Sequence, residues 1–321
     1  PRGPQSTGYI FLTANCGSVM NKGIELMLSG TPVENKNFSW NVTLNMAKNK
    51  GTLGEFITGV DMLYVTDTQI GGVKCASIPN GNFLALTGNR TLREKDADGK
   101  EIMNGRKQID PATGLYKLSG SESNIVGNRE PKLSGGLSND FRYKNLTLSF
   151  LLDFRIGGDI YSGTQYYLTS RGQSMRTLDR DKITFEGVSS VDGTPMTVTY
   201  ERGQNYVING VTKSGASMIQ SYWSNYASDA ANFMTDTNWL KLRSISLTYD
   251  FTSLIKGQSF IKNLTASVAA TNLFTWTNYE GGLDPEVAAV GSGTGGSGSV
   301  GLDYCGVPTQ RSFSFGVNLT F

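Results

Sequence analysis

The sequence contains no histidine among its 321 residues, and this absence excludes several familiar kinds of active site. Hydrolases that activate a serine or cysteine with an imidazole are excluded, as are the usual histidine-based zinc and haem sites. Three cysteines are present, Cys16, Cys75 and Cys305, at spacings unlike those of a metal site or a complete disulfide framework. We therefore predict no catalytic site, no metal site and no cofactor, and we expect that the protein is not an enzyme.

Charged residues and long hydrophobic runs are also scarce. Asp, Glu, Lys and Arg make up 17% of the chain, and the formal net charge is +2. This balance, without any run of basic residues, predicts that nucleic acid is not a partner. No stretch approaches the roughly 18 consecutive apolar residues of a transmembrane helix. Glycine is abundant, with 39 residues, and together with 10% aromatic residues it favours strands and turns.

The strongest pattern that is present is an alternation of apolar and polar residues. From Phe313 to Phe321 every second residue is apolar, and this period of two predicts a β-strand with one apolar face. Within the fifth predicted strand the parity that starts with Lys241 and Arg243 continues into apolar residues. We therefore expect either a β-bulge there or a charged strand end outside the apolar zone. The same alternation predicts seven antiparallel strands, near residues 24–30, 38–48, 133–143, 146–155, 239–251, 263–274 and 311–321.

The connections between these strands alternate between short and long. Lys144 and Asn145 form a predicted two-residue turn, whereas long segments near residues 51–132, 156–238 and 275–310 separate the hairpins. Outer-membrane barrels have short periplasmic turns and long extracellular loops, and loops of this length are uncommon in compact soluble domains. The pattern favours an all-β fold, an antiparallel transmembrane β-barrel whose closed sheet satisfies its backbone hydrogen bonds in lipid. A soluble β-sandwich or propeller fragment shows the same alternation and stays an alternative, as does a small eight-stranded barrel.

Several motifs, in their order along the chain, resemble the SusC/RagA family of TonB-linked outer-membrane transporters. The resemblance covers nearly the whole chain and implies the C-terminal portion of a barrel of about 22 strands. It implies that the plug domain and the TonB-contacting segment are absent from this chain. The motifs are Asn21-Lys22-Gly23-Ile24-Glu25-Leu26, Phe38-Ser39-Trp40-Asn41, Gly127-Asn128-Arg129-Glu130-Pro131-Lys132, Phe141-Arg142-Tyr143-Lys144, Phe154-Arg155-Ile156-Gly157-Gly158-Asp159, Trp239-Leu240-Lys241-Leu242-Arg243, Ala270-Thr271-Asn272-Leu273-Phe274 and Gly282-Leu283-Asp284-Pro285-Glu286.

The resemblance also implies a function and a set of partners. The expected function is TonB-dependent import of oligosaccharide or peptide fragments across the outer membrane of a Gram-negative cell, with a SusD-like surface lipoprotein over the loops. Other expected partners are TonB, the outer-membrane assembly machinery, lipid and lipopolysaccharide, and a second transporter–lipoprotein pair. The alternative is a structural or adhesive surface barrel whose loops bind without transport.

Two groups of aromatic and apolar residues are candidates for binding or assembly. Tyr222, Trp223 and Tyr226 lie within a long predicted loop and offer flat faces to a sugar or peptide. Residues on one face of the last strand resemble the C-terminal signal that the assembly machinery recognises, and they are also expected to face lipid. These four residues are Phe313, Phe315, Leu319 and Phe321.

The positions of aromatic and charged residues along the predicted strands indicate where they lie in the barrel wall. An aromatic girdle at the membrane interface is expected from three aromatic residues near strand ends, Trp239, Trp276 and Tyr161. Five charged residues are expected on the polar, lumen-facing side, where charges of opposite sign suit paired networks. They are Glu25, Asp140, Arg142, Asp153 and Arg155.

Several polar loop residues have a less specific pattern. Asp96 and Asp98 resemble the opening of a calcium loop, but the other EF-hand positions are missing, so a tight turn at Asp98-Gly99 is predicted. The carboxylates of Asp284, Glu286 and Asp303 are expected to be structural. In the predicted topology all three cysteines lie on the extracellular side, where Cys305 has Cys16 or Cys75 as a candidate disulfide partner. The Gly/Ser-rich segment 291–299 is low in complexity and is expected to be mobile.

Overall fold

The computed structural model describes residues 6, 17–56, 61–65, 70–255, 260–279, 284–286 and 301–321. Its main element is one sheet of seven long antiparallel strands, which lie in the sheet in the order of the chain. The described sheet is open, with the first and last strands at its edges. The strands are β1 (Gly17–Glu34), β2 (Phe38–Phe56), β3 (Leu133–Tyr143), β4 (Leu146–Ile156), β5 (Trp239–Asp250), β6 (Asn263–Thr277) and β7 (Ser312–Thr320).

The strand registers give the sheet one apolar face and one polar face. Residues that lie opposite one another on neighbouring strands share a face, so each set of partners forms a row across the sheet. An apolar row runs through Val33, Trp40, Phe141, Leu148, Leu247, Val268 and Phe315. A hydrophilic row on the other face runs through Glu34, Ser39, Arg142, Thr147, Thr248, Ser267 and Gly316. At the β7 edge Phe315 and Val317 are 80% and 70% exposed, so no described core covers this end of the apolar face.

A β-bulge in β5 explains the change of parity in its sequence. On the β4 side Leu151 and Leu152 pair with Ser244 and Leu242, which leaves Arg243 as the extra residue; on the β6 side Asn272 and Leu273 lie opposite Arg243, so there the extra residue is on β6. Lys241 therefore lies opposite Asp153 on the polar face, while Leu247 lies in the apolar row. The bulge, one of the two arrangements that the parity predicts, is confirmed.

The short turns hold neighbouring hairpins together. Lys144 and Asn145 form the predicted two-residue turn, and Lys144 adopts a φ of 52°, which a tight turn of this kind requires. The Asn145 side chain donates to the carbonyl oxygen of Asp250 and to the Ser253 hydroxyl, at 2.9 and 2.6 Å. These bonds tie the β3–β4 turn to the β5–β6 turn.

Seven predicted segments overlap the seven long strands, but β1 and β2 extend well beyond the alternating apolar residues. Their ladder continues from Ile24–Lys48 out to Gly17–Phe56. Pairing of backbone groups does not need an apolar side chain, so a ladder runs on past the region that alternation can detect.

The three long connections contain ordered structure. Among the described residues of these connections are the α-helices α1 (Gly163–Ser170) and α2 (Gly215–Ala227) and the short 3₁₀ helices Met175–Thr177 and Ala230–Phe233; a further 3₁₀ helix, Thr252–Leu254, lies in the turn between β5 and β6. None of the described helices is long and apolar enough to cross a membrane. The remaining short strands are Leu63–Tyr64, Lys74–Ser77, Gly81–Asn82, Ala85–Gly88, Gln108–Asp110, Leu115–Tyr116, Asn124–Asn128, Asp159–Ser162, Lys182–Ser189, Pro195–Glu201, Asn205–Ile208, Val211–Ser214, Met234–Asp236 and Leu302–Asp303.

Two hydrophobic clusters hold these connections together. Tyr161, Leu86 and Phe233 belong to the first cluster, which joins residues from all three long connections. Ile109 and Met218 belong to the second, in which α2 covers a small sheet. Because the apolar side chains of the connections are buried against each other, the three segments form an ordered cap at one end of the seven-stranded sheet.

The aromatic girdle prediction is wrong for two of its three residues. Tyr161 is fully buried in the first cluster, because the connections fold over it. Trp239 is 8% exposed and lies opposite Arg155, on the polar face. Trp276 alone is on the apolar face, where it is 56% exposed and stacks on Phe274.

The cysteines and the candidate calcium loop also have defined surroundings. Cys75 is buried and Cys305 is exposed, and no disulfide joins the two, so the Cys75–Cys305 candidate pair is not formed. Cys16 and the segment 291–299 lie outside the described residues. The tight turn at Asp98-Gly99 is confirmed, because the Asp96 carboxylate accepts from the backbone N–H groups of Asp98 and Lys100.

Candidate functional site

The polar face carries the charges that the alternation predicts there. Glu25 and Arg155 belong to one row, linked through the intervening partners on β2 and β3. Asp140 and Arg142 follow each other at a spacing of two on β3, and Asp153 lies opposite Lys241. All five predicted residues therefore share the polar side of the sheet.

Five side chains on and above this face form a set of ion pairs, which we call the ionic cluster: Asp153, Lys241, Arg243, Asp284 and Glu286. The Lys241 ammonium, only 2% exposed, contacts the Asp284 carboxylate and lies 2.5 Å from that of Glu286. The Arg243 guanidinium lies 2.8 Å from Asp153 and 2.5 Å from Glu286. Two cations thus hold three carboxylates, and the bulge at Arg243 allows both cations to reach them.

The two loop carboxylates of the ionic cluster, Asp284 and Glu286, stay charged near neutral pH. Burial alone would raise the pKa of the Asp284 carboxyl, but hydrogen bonds from Lys241 and Thr309 hold that pKa below its ordinary value. The pKa of the Glu286 carboxyl is lowered in the same way by Arg243 and Lys241, against the opposing effect of burial. Since these groups are paired, the arrangement suits fastening of the segment 284–286 to the sheet better than acid–base chemistry. The structural role that the sequence predicts for these carboxylates stays a prediction.

The predicted aromatic trio lies on helix α2. Ser214 caps the helix by accepting from the Ser217 backbone N–H. The Tyr222 ring lies 4.9 Å from that of Phe185, between centroids, and burial raises the pKa of Tyr222 to about 12. Tyr226 packs edge-on against Phe233 in the first cluster. Trp223 is therefore the member of the trio that lines a cavity, and its binding role stays a prediction.

The cavity beside Trp223 lies between α1 and α2 and has a volume of about 410 Å³. The carboxyl end of α1 and one face of α2 form its walls. Its lining includes three arginines, Arg171, Arg180 and Arg202. The sequence alone does not show this site, because the three arginines are up to 31 positions apart and the signal for α2 is weak. It is a pocket of a size that ordinary small ligands occupy.

The last strand exposes the residues that resemble an assembly signal. Phe313, Phe315 and Leu319 lie on the apolar face of β7, and the Phe321 ring lies 5.1 Å from that of Phe260. Within the described residues β7 pairs only with β6, so its other edge has free backbone groups. Recognition by the assembly machinery stays a prediction.

The described residues include no group of three or more His, Cys, Asp or Glu side chains that could hold a metal ion. The carboxylate of Asp96 is used within its own turn. Asp303 is fully buried and accepts a hydrogen bond from the Tyr279 hydroxyl at 2.8 Å, which joins two parts of the connection after β6.

Comparison with known proteins finds relatives that share a third or less of their length with this chain. No family model matches it. The TonB-dependent receptor P26 of Formosa agariphila is 26% identical over 330 residues, which cover 99% of this chain and 31% of that protein. The TonB-dependent receptor SusC of Bacteroides thetaiotaomicron is 24% identical over 322 residues, 97% of this chain and 27% of that protein.

Solved structures show the same fold. A structure of the RagAB peptide transporter matches with a TM-score of 0.63 and 18% identity, over 100% of this chain and 31% of that one. The RagAB peptide importer in its closed-closed state gives a TM-score of 0.61 and 19% identity, over 99% of this chain and 31% of that one. The described chain is thus an open section of an antiparallel outer-membrane β-barrel. The resemblance to the SusC/RagA family that the sequence motifs predict is confirmed.

Proposed function

We propose that this chain forms the C-terminal wall and part of the extracellular cap of a TonB-dependent importer. The observation that carries the proposal is the two-faced sheet, with an apolar row through all seven strands on one side and a hydrophilic row on the other. In an outer-membrane barrel the apolar face meets lipid and the polar face lines the interior. The relatives, which are named as TonB-dependent receptors, support the same activity.

The ordered cap supports a binding role at the outer surface. Because neighbouring strands are antiparallel, the connections after β2, β4 and β6 all leave the sheet at the same end. We place the contacts with cargo and with a SusD-like lipoprotein on this cap. We assign coupling to TonB to a plug domain that is not part of this chain. The proposed cargo is a glycan or peptide fragment. The role is one of binding and passage, without covalent chemistry.

The proposal is tested by uptake in the source bacterium. Cells with and without the gene are given a panel of fluorescein-labelled peptides and oligosaccharides, and internal fluorescence is measured with and without an uncoupler of the proton-motive force. An importer gives uptake that needs both the gene and the proton-motive force. Surface labelling that needs the gene, with no internal fluorescence in any condition, would instead identify an adhesive or structural barrel.

The lipoprotein partner is tested separately. Affinity purification of the full-length protein from detergent-solubilised outer membranes should recover a surface lipoprotein in about a one-to-one ratio. Recovery of the transporter without any lipoprotein would contradict this part of the proposal while leaving import itself untouched.

A further inference from the structure

The cavity between α1 and α2, which we call the arginine cavity, carries an uncompensated positive charge. Arg171, Arg180 and Arg202 line it, and none of its other lining residues is acidic. Within the described residues the Arg171 side chain has no hydrogen bond or ion pair. The closest carboxylate to Arg202, that of Asp181, lies 3.7 Å away, and both side chains are well exposed. Exposed pairs of this kind contribute little, so Arg202 is free to turn to another anion.

Arg180 is held in place without being neutralised. Its guanidinium donates to the backbone carbonyl oxygens of Thr177 and Gly172, at 3.2 and 2.6 Å. These acceptors are neutral, so the side chain keeps its full charge while its position at the cavity is fixed. A preorganised guanidinium loses less side-chain entropy when it binds a ligand than a free one does.

Two other lining residues carry buried polar atoms that have no hydrogen-bond partner in the part of the chain that the structure describes. Thr169 is only 1% exposed, and its hydroxyl oxygen has no hydrogen-bond partner. The indole Nε1 of Trp223 is buried and also has none. Buried polar atoms are almost always satisfied in folded proteins, so two unsatisfied atoms at one cavity indicate a place for a polar ligand. The Trp223 ring adds an aromatic surface for the rest of that ligand.

We propose that the arginine cavity binds a carboxylate-bearing unit of the cargo. Guanidinium groups present paired N–H donors that match the two oxygens of a carboxylate, and a charge-assisted bond of this kind is stronger than a neutral one. The volume of about 410 Å³ lies within the range of sites for small ligands. Placing the ligand in the cargo rests on the proposed function, whereas the binding itself does not require transport.

The test measures direct binding to the full-length protein in detergent by isothermal titration calorimetry. The probes are N-acetylated triglutamate and trigalacturonate, each with a neutral counterpart of the same backbone that has no carboxylate, N-acetylated triglutamine amide and galactotriose. We expect at least one acidic probe to bind at least about tenfold more tightly than its neutral counterpart, as charge-assisted hydrogen bonds of ordinary strength require. The probe that binds identifies the source of the carboxylate as a peptide or a glycan.

Variants assign the binding to this cavity. The double variant Arg171→Gln/Arg202→Gln removes two charges whose loss breaks, among the described residues, only the exposed contact with Asp181. It should weaken binding of the acidic probe at least about tenfold. The matched control is Arg106→Gln, since Arg106 is an exposed cap arginine that pairs with Glu94 and does not line the cavity.

Two results would overturn the proposal: acidic probes that bind no better than the neutral ones, or a double variant that binds like the control. Uptake that fails while acidic binding persists would remove the proposed function and leave the cavity assignment intact. Normal uptake in cells, with no binding of the acidic probes by the purified protein, would remove the cavity assignment and leave the proposed function intact.

Discussion

Replacing Lys241 by methionine should release the segment 284–286 from the barrel wall. Two cations of β5 contact this segment: the Lys241 ammonium contacts both Asp284 and Glu286, whereas Arg243 contacts Glu286. Arg243 still holds Glu286 after the change, whereas Asp284 keeps only neutral donors, the Thr309 hydroxyl and the Glu286 backbone N–H. Removing one partner of a buried ion pair costs about 3–5 kcal/mol, and these remaining bonds favour the lower end, about 3 kcal/mol.

Hydrogen exchange of the backbone N–H of Glu286 measures this loss. A decrease of about 3 kcal/mol in the free energy of local opening should speed exchange by roughly two orders of magnitude. The double variant Lys241→Met/Asp284→Asn removes both charges and should recover most of the protection. Lys100→Met, at an exposed turn, is the matched control and should leave exchange unchanged. If Lys241→Met exchanges within about threefold of the wild type, the ionic cluster does not fasten this segment.

Two further predictions follow from pKa values in the cap. Because hydrogen bonds lower the pKa of Asp284 beneath its usual 3.8, the stabilisation is fully present above that pH and is lost as the pH falls through the lowered value. The protection factor of the segment 284–286, the ratio of the intrinsic to the observed exchange rate at the same pH, should therefore stay constant from pH 7 to 5 and fall below about 3.8; a fall already at pH 6 would contradict this. Burial raises the pKa of Cys75 to about 11, so at pH 7.5 maleimide should label Cys305 and leave Cys75 unmodified in the folded protein. Equal labelling of both thiols, measured by peptide mass, would contradict the burial of Cys75.

The strands of the barrel wall can be predicted from the sequence because the pattern that marks them, the alternation of apolar and polar residues, is local. Alternation every two residues needs only neighbouring positions, so it detects the strands, and the break after Arg243 even indicates the bulge. Trp239 and Lys241 are two residues apart on the same strand, so they lie on the same face. The charge of Lys241 therefore indicates that Trp239 lies on the polar face rather than in a girdle. Proximity to a strand end alone does not say which face an aromatic residue occupies.

The cap is less predictable because its structure depends on contacts between distant segments. Five of the 13 residues of α2 are Ser, Gly or Asn, which are weaker helix formers than Ala or Leu, and the helix is held by burial of Met218 and Ile219 in the second cluster. Tyr161 is buried by Phe233 and Leu302, which are more than 70 residues away along the chain. The arginine cavity likewise brings together residues from three separate stretches, and no spacing in the sequence reveals it.

The orientation of the sheet in the membrane can be measured directly with two adjacent positions on β7. In a full-length protein with Cys16, Cys75 and Cys305 replaced by serine, single cysteines at Phe315 and at Ser314 are labelled with a fluorophore and studied in lipid vesicles. A nitroxide attached to the lipid chains should quench the label at Phe315→Cys strongly, and a water-soluble quencher should act on Ser314→Cys. The reverse pattern, or water-soluble quenching at both positions, would contradict an apolar face that meets lipid.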